Sequence, residues 1–403
     1  MIIEVLSSLV LAFWVLLALD AKRWWPSGMT LRSPRALDGE RRRSEARPPV
    51  TVVVPARDEA DTLRKTLPFL LAQGDDFDAL IVVDDRSTDG TGNVARNIAA
   101  SSPHTAKVRI VEAPPPPPGW SGKIFALETG IRAASGASED HAPAGPPGAS
   151  QAPPCWFLFT DADILHPSGS IGALLEKALT GGFDLVSVMV RLRSESLWEK
   201  ILIPPFVYFF QVLYPFRRVA DPRSIVAAAA GGCVLLQRDA LSRIGGLAAI
   251  REAVIDDVAL ARRIKDTGGG CWLGTHPDML SVRAYSRLVE ISNMVARTAF
   301  TQLRYSWTLL AATLIFLGLF FVGPPVLACA GFARGLPLGG AAALGAWIIE
   351  SATLLPVVHH QRVNPLYALT LPAAAALYAY MTALSAWRHL KHGGVEWKGR
   401  KLR

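Results

Sequence analysis

Four apolar stretches dominate the chain: Ile2–Leu19 at one end, and Trp307–Ala330, Leu338–Val358 and Leu366–Trp387 at the other. An α-helix needs about 20 predominantly apolar residues to cross a bilayer core of ~30 Å, and each stretch approaches or exceeds that length. Residues 49–285, between the two blocks, have ordinary soluble composition. The sequence therefore divides into a soluble region flanked by membrane segments. Ile2–Leu19 carries a single acid, Glu4, and lacks both a basic leader and a small-residue cleavage pattern, so it is read as an uncleaved anchor.

The formal net charge is +8, which in another chain would suggest nucleic acid. Here the basic residues gather beside the apolar stretches. Lys22, Arg23, Arg32, Arg35, Arg41–Arg43 and Arg47 follow the first, and Arg388, Lys391, Lys398, Arg400, Lys401 and Arg403 follow the last. Such clusters mark the cytosolic side and contact anionic lipid, so nucleic acid is set aside as a partner. The tail and the soluble region should then share one side, which requires an even number of crossings between them. One of the three C-terminal stretches must therefore turn back. Trp307–Ala330, interrupted by Gly323, Pro324 and Pro325, is the expected re-entrant hairpin. Cys155, Cys233, Cys271 and Cys329 are scattered without a CxxC pair and are read as free thiols.

Within the soluble region, β-branched and apolar runs alternate with helical patterns. Val50–Ala56, Ala79–Asp85, Lys107–Ala113 and the run Cys155–Thr160 read as strands; the segments after the first three read as helices. Strands that are apolar throughout indicate an α/β fold with a mostly parallel sheet covered on both faces. Pro114–Pro118 should be extended, and Ala134–Pro154 is a low-complexity surface insertion. Leu197–Phe216 is the most apolar part of this region. Pro204–Pro205 in its middle suggests a broken element lying in the headgroup layer. Leu288–Trp307 is amphipathic and is expected to form an interfacial helix over 286–306.

Carboxylates stand where the strands end. Arg57, Asp58 and Glu59 follow the first strand, Asp84 and Asp85 close the second, Asp161 and Asp163 follow the fourth, and Asp256–Asp257 open a later helix. Ligands of open α/β sheets bind beyond the carboxyl ends of the strands. Clustered carboxylates repel one another unless a cation intervenes, and hard oxygen ligands suit Mg²⁺ or Mn²⁺.

The pieces "VVVPARDEA", "VVDDRSTDGT", "GKIFALETG", "TDADI", "GGCVLLQRDAL" and "IDDVALARRIKDTGG" together resemble the family 2 glycosyltransferases of the GT-A fold. "AAAAGGC", "ARTAFTQLRYS" and the tail "WKGR" are similar to the hopanoid-associated (HpnB-type) membrane glycosyltransferases. The resemblance implies a nucleotide-sugar donor, a divalent metal and inversion at the sugar. It gives Asp161 and Asp163 to the metal, with Asp161 also near the ribose. Pro55, Arg57, Glu59, Asp84 and Asp85 would hold the nucleoside, and Lys123 would lie near the diphosphate. Gly231, Gly232 and Cys233 would wall the sugar, and Asp257, preceded by Asp256, would be the general base. Many membrane members carry Gln-x-x-Arg-Trp where this chain has Thr301–Tyr305. Arg304 is kept for a diphosphate or acceptor contact, and the altered neighbours argue against a polymer channel.

The expected organisation is an anchor (1–20), a basic linker (21–48), a GT-A domain (49–285, including 197–216), an interfacial helix (286–306), a membrane block (307–387) and a basic tail (388–403). It would lie in a bacterial-type inner membrane with the catalytic domain cytosolic, acting on a lipid acceptor such as a hopanoid. A nucleotidyltransferase is disfavoured because "PARDEA" lacks that class's glycine-rich basic signature. A degenerate sugar-nucleotide-binding or assembly protein is the alternative, opposed by the intact carboxylate pairs.

Overall fold

Val50–Ala56 and its partner runs do become the sheet, because β-branched side chains suit a strand covered on both faces. The computed structural model describes residues 2–20, 28–32, 47–135, 155–392, 395–397 and 400–402. Lys22, Arg23, Arg35, Arg41–Arg43, most of the low-complexity insertion, Lys398 and Arg403 lie outside them. The chain begins with helix α1 (Ile2–Leu19) and divides into two compact units.

The sheet unit comprises Gly28–Leu192 and Phe216–Arg283. Its strands are β1 (Val50–Ala56), β2 (Ala79–Asp84), β3 (Val108–Glu112), β4 (Trp156–Thr160), β5 (Ile164–Leu165), β6 (Leu185–Leu192), β7 (Cys233–Gln237) and β8 (Cys271–Ser281), in spatial order β3-β2-β1-β4-β7-β6-β8-β5. β3, β2, β1 and β4 run parallel, so their carboxyl ends share one edge. β7 pairs antiparallel with β4, Thr160 opposite Cys233, which brings the start of β7 to that same edge. Helices α2 (Ala60–Leu71), α3 (Thr91–Ala100), α4 (Gly122–Ala134) and α5 (Ser170–Gly181) cover the sheet. Leu63, Leu67, Leu70 and Leu71 of α2 are all buried, as their spacing predicts. Pro114–Pro118 carry no regular secondary structure.

The helical unit comprises Met1–Ser27, Arg193–Pro215 and Ala284–Arg403. The 197–216 stretch thus belongs here rather than with the sheet, apart from Phe216. Nor is it broken: α6 (Leu197–Leu213) runs unbroken through Pro204–Pro205. A capping box between Ser196 and Glu199 fixes its start. Leu202 packs into a cluster with Ala374, Tyr378 and Met381, and Tyr208 is fully buried, its hydroxyl 3.0 Å from Thr353 Oγ1. Each such burial contributes ~1.5–3 kcal/mol, and several of them along the helix offset the ~3 kcal/mol cost of each of the two interior prolines.

After helix α7 (Asp256–Asp266) of the sheet unit, the expected single interfacial helix is in fact interrupted. α8 (Leu288–Ala296) buries Ile291 and Val295, a break follows, and residues 299–302 form one further turn.

The re-entrant hairpin expected at Gly323–Pro325 is absent. α9 (Trp307–Phe316), a π-helical stretch Leu317–Val322 and α10 (Gly323–Ala333) form one continuous rod, with Gly323 at φ −56°, ψ −45°. The wide π turn relaxes the hydrogen-bond ladder before Pro324 and Pro325, which cannot donate to it. The chain turns back elsewhere. α11 (Pro337–His360) runs against α10, with Gly340 against Gly331, and alongside α1 in the same sense, with Gly339 against Glu4 and Gly345 against Leu11. α12 (Leu371–His392) also runs against the long rod: it passes the π stretch, Ala386 packs with Leu310 and Leu314, and His389 stacks on Tyr305 at 4.5 Å. Since α11 and α12 point the same way, residues 361–370 must return along α11. There Trp347 Nε1 donates to the Leu369 carbonyl at 3.3 Å. Both the start of α9 and the end of α12 therefore lie at one end of the unit. All four cysteines are free thiols.

Candidate active site

The carboxyl edge of β1, β2 and β4 gathers the acids. Pro55 sits opposite Val83 and Ala56 opposite Asp84, so Arg57 and Asp85 emerge side by side, with Arg57 Nη1 3.7 Å from the buried Asp85 carboxylate. The two loops are laced together. Ser87 N–H donates to Asp84 Oδ1 at 2.9 Å, Thr88 N–H to Asp58 Oδ1 at 2.8 Å, and Ala60 N–H to Asp89 Oδ2 at 2.9 Å. Asp58 and Arg86 hold positive φ (52° and 56°), a strained geometry that side-chain bonds of this kind sustain. Burial works against the Asp89 carboxylate, but hydrogen bonds from Thr91 and Ala60 outweigh it and keep its pKa below the ordinary value.

Asp161 and Asp163 stand directly after β4. Lys123, in the first turn of α4 behind the Ser121 cap, reaches Asp161 Oδ1 at 2.7 Å and Asp256 Oδ2 at 4.0 Å. Burial opposes the lysine's charge, yet Asp161, Asp256 and Asp257 together hold its pKa above the usual lysine value. For Asp161, burial and the neighbouring Asp163 charge prevail over Lys123 and raise the carboxyl.

Asp257 closes the site from the start of α7. Its Oδ2 accepts the Gly231 N–H at 2.7 Å and its Oδ1 accepts the Val258 N–H at 2.8 Å. A Cβ on Gly231 would stand 3.1 Å from Asp257 Oδ2 and 3.4 Å from Lys123 Nζ, so any larger residue would crowd the carboxylate that this backbone N–H holds. Gly232 carries the wall onward: its carbonyl accepts the Asp161 N–H at 3.2 Å. Loss of hydration, with the Asp256 charge adding to it, pushes Asp257 up to about 7, in the range of a general base at neutral pH.

The turn carrying the acids is held from behind. His166 is buried, 2.8 Å from Thr160 Oγ1, and its carbonyl accepts from Gln73 Nε2 at 3.3 Å. Burial, with His276 nearby, lowers its pKa to about 3, so it stays neutral.

The structure thus brings together Pro55, Arg57, Glu59, Asp84, Asp85, Lys123, Asp161, Asp163, Gly231, Gly232, Asp256 and Asp257 in the sheet unit. Arg304 belongs to the helical unit, where it and Tyr305 hold positive φ (52° and 57°). Two residues escaped the sequence reading. Ser281 at the end of β8 donates to Asp163 Oδ2 at 2.5 Å. Arg283 sets Nη2 2.6 Å from Glu59 Oε1 and Nε 3.4 Å from Asp163 Oδ2. "SVR" gives no local sign of this, because only the pairing of β5 with β8 places it beside Asp163.

Among the described residues no group of three or more His, Cys, Asp or Glu side chains could hold a metal. The Asp161–Asp163 pair does fit a Mg²⁺- or Mn²⁺-type ion, which takes one or two protein carboxylates and completes its shell with phosphate oxygens.

Residues 51–245 match the family model described as Glycosyl transferase family 2. No curated protein matches the sequence. Among solved structures, the mannosyltransferase PcManGT from Pyrobaculum calidifontis, in complex with GDP-Man and Mn²⁺, shares the fold at 20% identity and a TM-score of 0.52, covering 96% of this chain and 99% of that one. The glucosyl-3-phosphoglycerate synthase from Mycobacterium tuberculosis, in complex with Mn²⁺, UDP and phosphoglyceric acid, aligns at 20% identity and a TM-score of 0.40, over 68% of this chain and 84% of that one.

Proposed function

With residues 51–245 forming a glycosyl transferase family 2 domain, we propose that the protein moves a sugar from a nucleotide-diphosphate donor to a lipid hydroxyl, of hopanoid or other polyprenoid type, with inversion at the sugar carbon. The observation that carries this reading is the Asp257 carboxylate, oriented by two backbone N–H groups beside the Lys123–Asp161–Asp256 cluster.

The chain's own groups divide the work. Arg57, Asp84 and Asp85 line the edge that receives the nucleoside. Lys123 offers a cation to the leaving diphosphate. Asp257 accepts the acceptor's hydroxyl proton as its oxygen attacks the anomeric carbon from the face opposite the diphosphate. One carboxylate acting in one displacement inverts the centre, whereas a retaining scheme needs a second as nucleophile. A divalent ion would be held by Asp163 and Asp161, and when bound it would neutralise charge building on the departing diphosphate.

A lipid acceptor is supported by the helical unit of the same chain. Among the described residues, four helices are long and apolar enough to cross a membrane. They expose large apolar side chains, among them Leu16, Ile315, Val326, Leu338, Ile348 and Leu366, a coat suited to lipid rather than water. We read α1, the α9–α10 rod and α11 as crossings, with 361–370 and α12 as a return and second passage. That path leaves the catalytic region and the tail together on the cytosolic side of a bacterial-type inner membrane, where nucleotide sugars are found.

Purified membranes incubated with radiolabelled nucleotide sugars should move label into the lipid extract. Label that stays in the nucleotide sugar for every donor tried would replace this reading by that of a donor-binding protein.

A further inference from the structure

Both carboxylates of the Asp161–Asp163 pair already carry an internal cation. Lys123 lies 2.7 Å from Asp161 Oδ1, and Arg283 Nε lies 3.4 Å from Asp163 Oδ2. Arg283 is fixed there by a second ion pair, Nη2 to Glu59 Oε1 at 2.6 Å, and Glu59 is itself buried. Ser281 Oγ donates to the same Asp163 oxygen that Arg283 approaches.

We propose that Arg283 is a built-in counter-ion that keeps a divalent cation from binding tightly until a diphosphate arrives, so that metal and donor enter as a coupled pair. This rests on the assignment of Asp163 as a metal-holding residue.

The two cations already paired with these carboxylates favour the coupling. A dication held by Asp163 would share its carboxylate with the Arg283 guanidinium, and one held by Asp161 would share its carboxylate with the Lys123 ammonium. Like charges at a few ångströms in a partly buried site repel strongly. A nucleotide-sugar diphosphate bears one negative charge on each phosphate, so ion and diphosphate together add no net charge to the site. The protein ligands point the same way, because the carboxylate pair is too small a donor set for a tight metal site alone and is completed by phosphate oxygens. Glu59, expected from the sequence to hold the nucleoside, acquires a positioning role here: it anchors Arg283 against Asp163.

The test is Mn²⁺ titration of the full-length protein in lipid nanodiscs, with free Mn²⁺ read by electron paramagnetic resonance, alone and with saturating GDP or UDP. In the wild type, Mn²⁺ should bind weakly alone and roughly 10–100-fold more tightly with the nucleotide. Arg283→Gln should bind Mn²⁺ alone roughly 10-fold more tightly than wild type, and the gain on adding nucleotide should shrink accordingly. Arg283→Lys keeps the charge and should retain most of the wild-type weakness, which guards against misfolding of the Gln variant. Arg287→Gln removes the same charge from an exposed pair with Glu290 and should change nothing. Unchanged or weaker Mn²⁺ binding in Arg283→Gln, with the nucleotide gain intact, overturns the counter-ion. Absence of Mn²⁺ binding in the wild type even with both nucleotides, identical to Asp163→Ala, overturns the metal assignment and the proposal with it.

Discussion

Replacing Asp257 by Asn exchanges one carboxylate oxygen for an NH2 group and should change both the pH dependence of stability and the rate of catalysis. The folded protein holds the Asp257 carboxyl at about 7 against an ordinary value of 3.8, first through lost hydration and then through Asp256. A raised carboxyl favours the folded state while it is neutral. That contribution is complete below the unfolded value and is lost as pH rises through about 7. Three pKa units correspond to ~4 kcal/mol. The carboxyl is partly exposed and shares its field with Lys123 and Asp256, which reduces the expected figure to roughly 2 kcal/mol. Relative to the Asn variant the wild type should therefore lose roughly 2 kcal/mol between pH 4 and pH 8, on top of a pH-independent cost to the variant, whose amide nitrogen cannot accept one of the two backbone N–H groups. Turnover should fall as well. The amide cannot take the acceptor's proton, so the rate should fall by about 10²-fold or more while nucleotide binding persists. In the wild type the rate should drop about tenfold per pH unit below 7 as Asp257 protonates. Initial rates of lipid glycosylation across pH, with thermal melts of both proteins in nanodiscs, measure all of this. Normal turnover in Asp257→Asn, or a wild-type rate flat across pH 7, would refute the assignment of the base.

Asp163→Ala, or excess chelator with the wild type, should abolish transfer; added Mn²⁺ or Mg²⁺ should rescue only the chelated wild type, and full activity in chelator would sink the metal role. Lys123→Met leaves Asp161 without its 2.7 Å partner and should raise the donor's KM by ~10-fold or more, read from initial rates at varied donor; an unchanged KM would confine the lysine to structure. A reporter fused after Arg403 should register a cytosolic tail, and alkaline phosphatase activity there would break the proposed path through 361–370. Glu350, fully buried on α11 with neither carboxylate oxygen hydrogen-bonded within the described structure, should be replaceable by Leu with a gain in thermal midpoint. A loss on that substitution would mean that a water or lipid group satisfies it.

The sequence alone determined the first half of the sheet. Unbroken apolar runs placed β1–β4 to within a residue or two, leucine spacing placed α2, and the acids at strand ends marked the working edge, because these signals are local and survive without knowledge of neighbours; β5–β8 went unread. Local rules also misled. Pro204–Pro205 and Gly323–Pro325 read as breaks, yet buried apolar contacts carry α6 through the first pair, and a π turn carries the long rod through the second. The true return, at 361–370, carries a breaker, Asn364–Pro365, but that marks only where α11 stops; the return itself follows from α11 and α12 both running against one rod. Arg283 is the sharpest case. Nothing in "SVR" distinguishes it from any surface arginine, and only the antiparallel pairing of β8 with β5 sets it 3.4 Å from Asp163, more than a hundred residues away in sequence. Periodicity fixes what each segment becomes, but which charges meet is decided by strand order, a property of the folded chain as a whole.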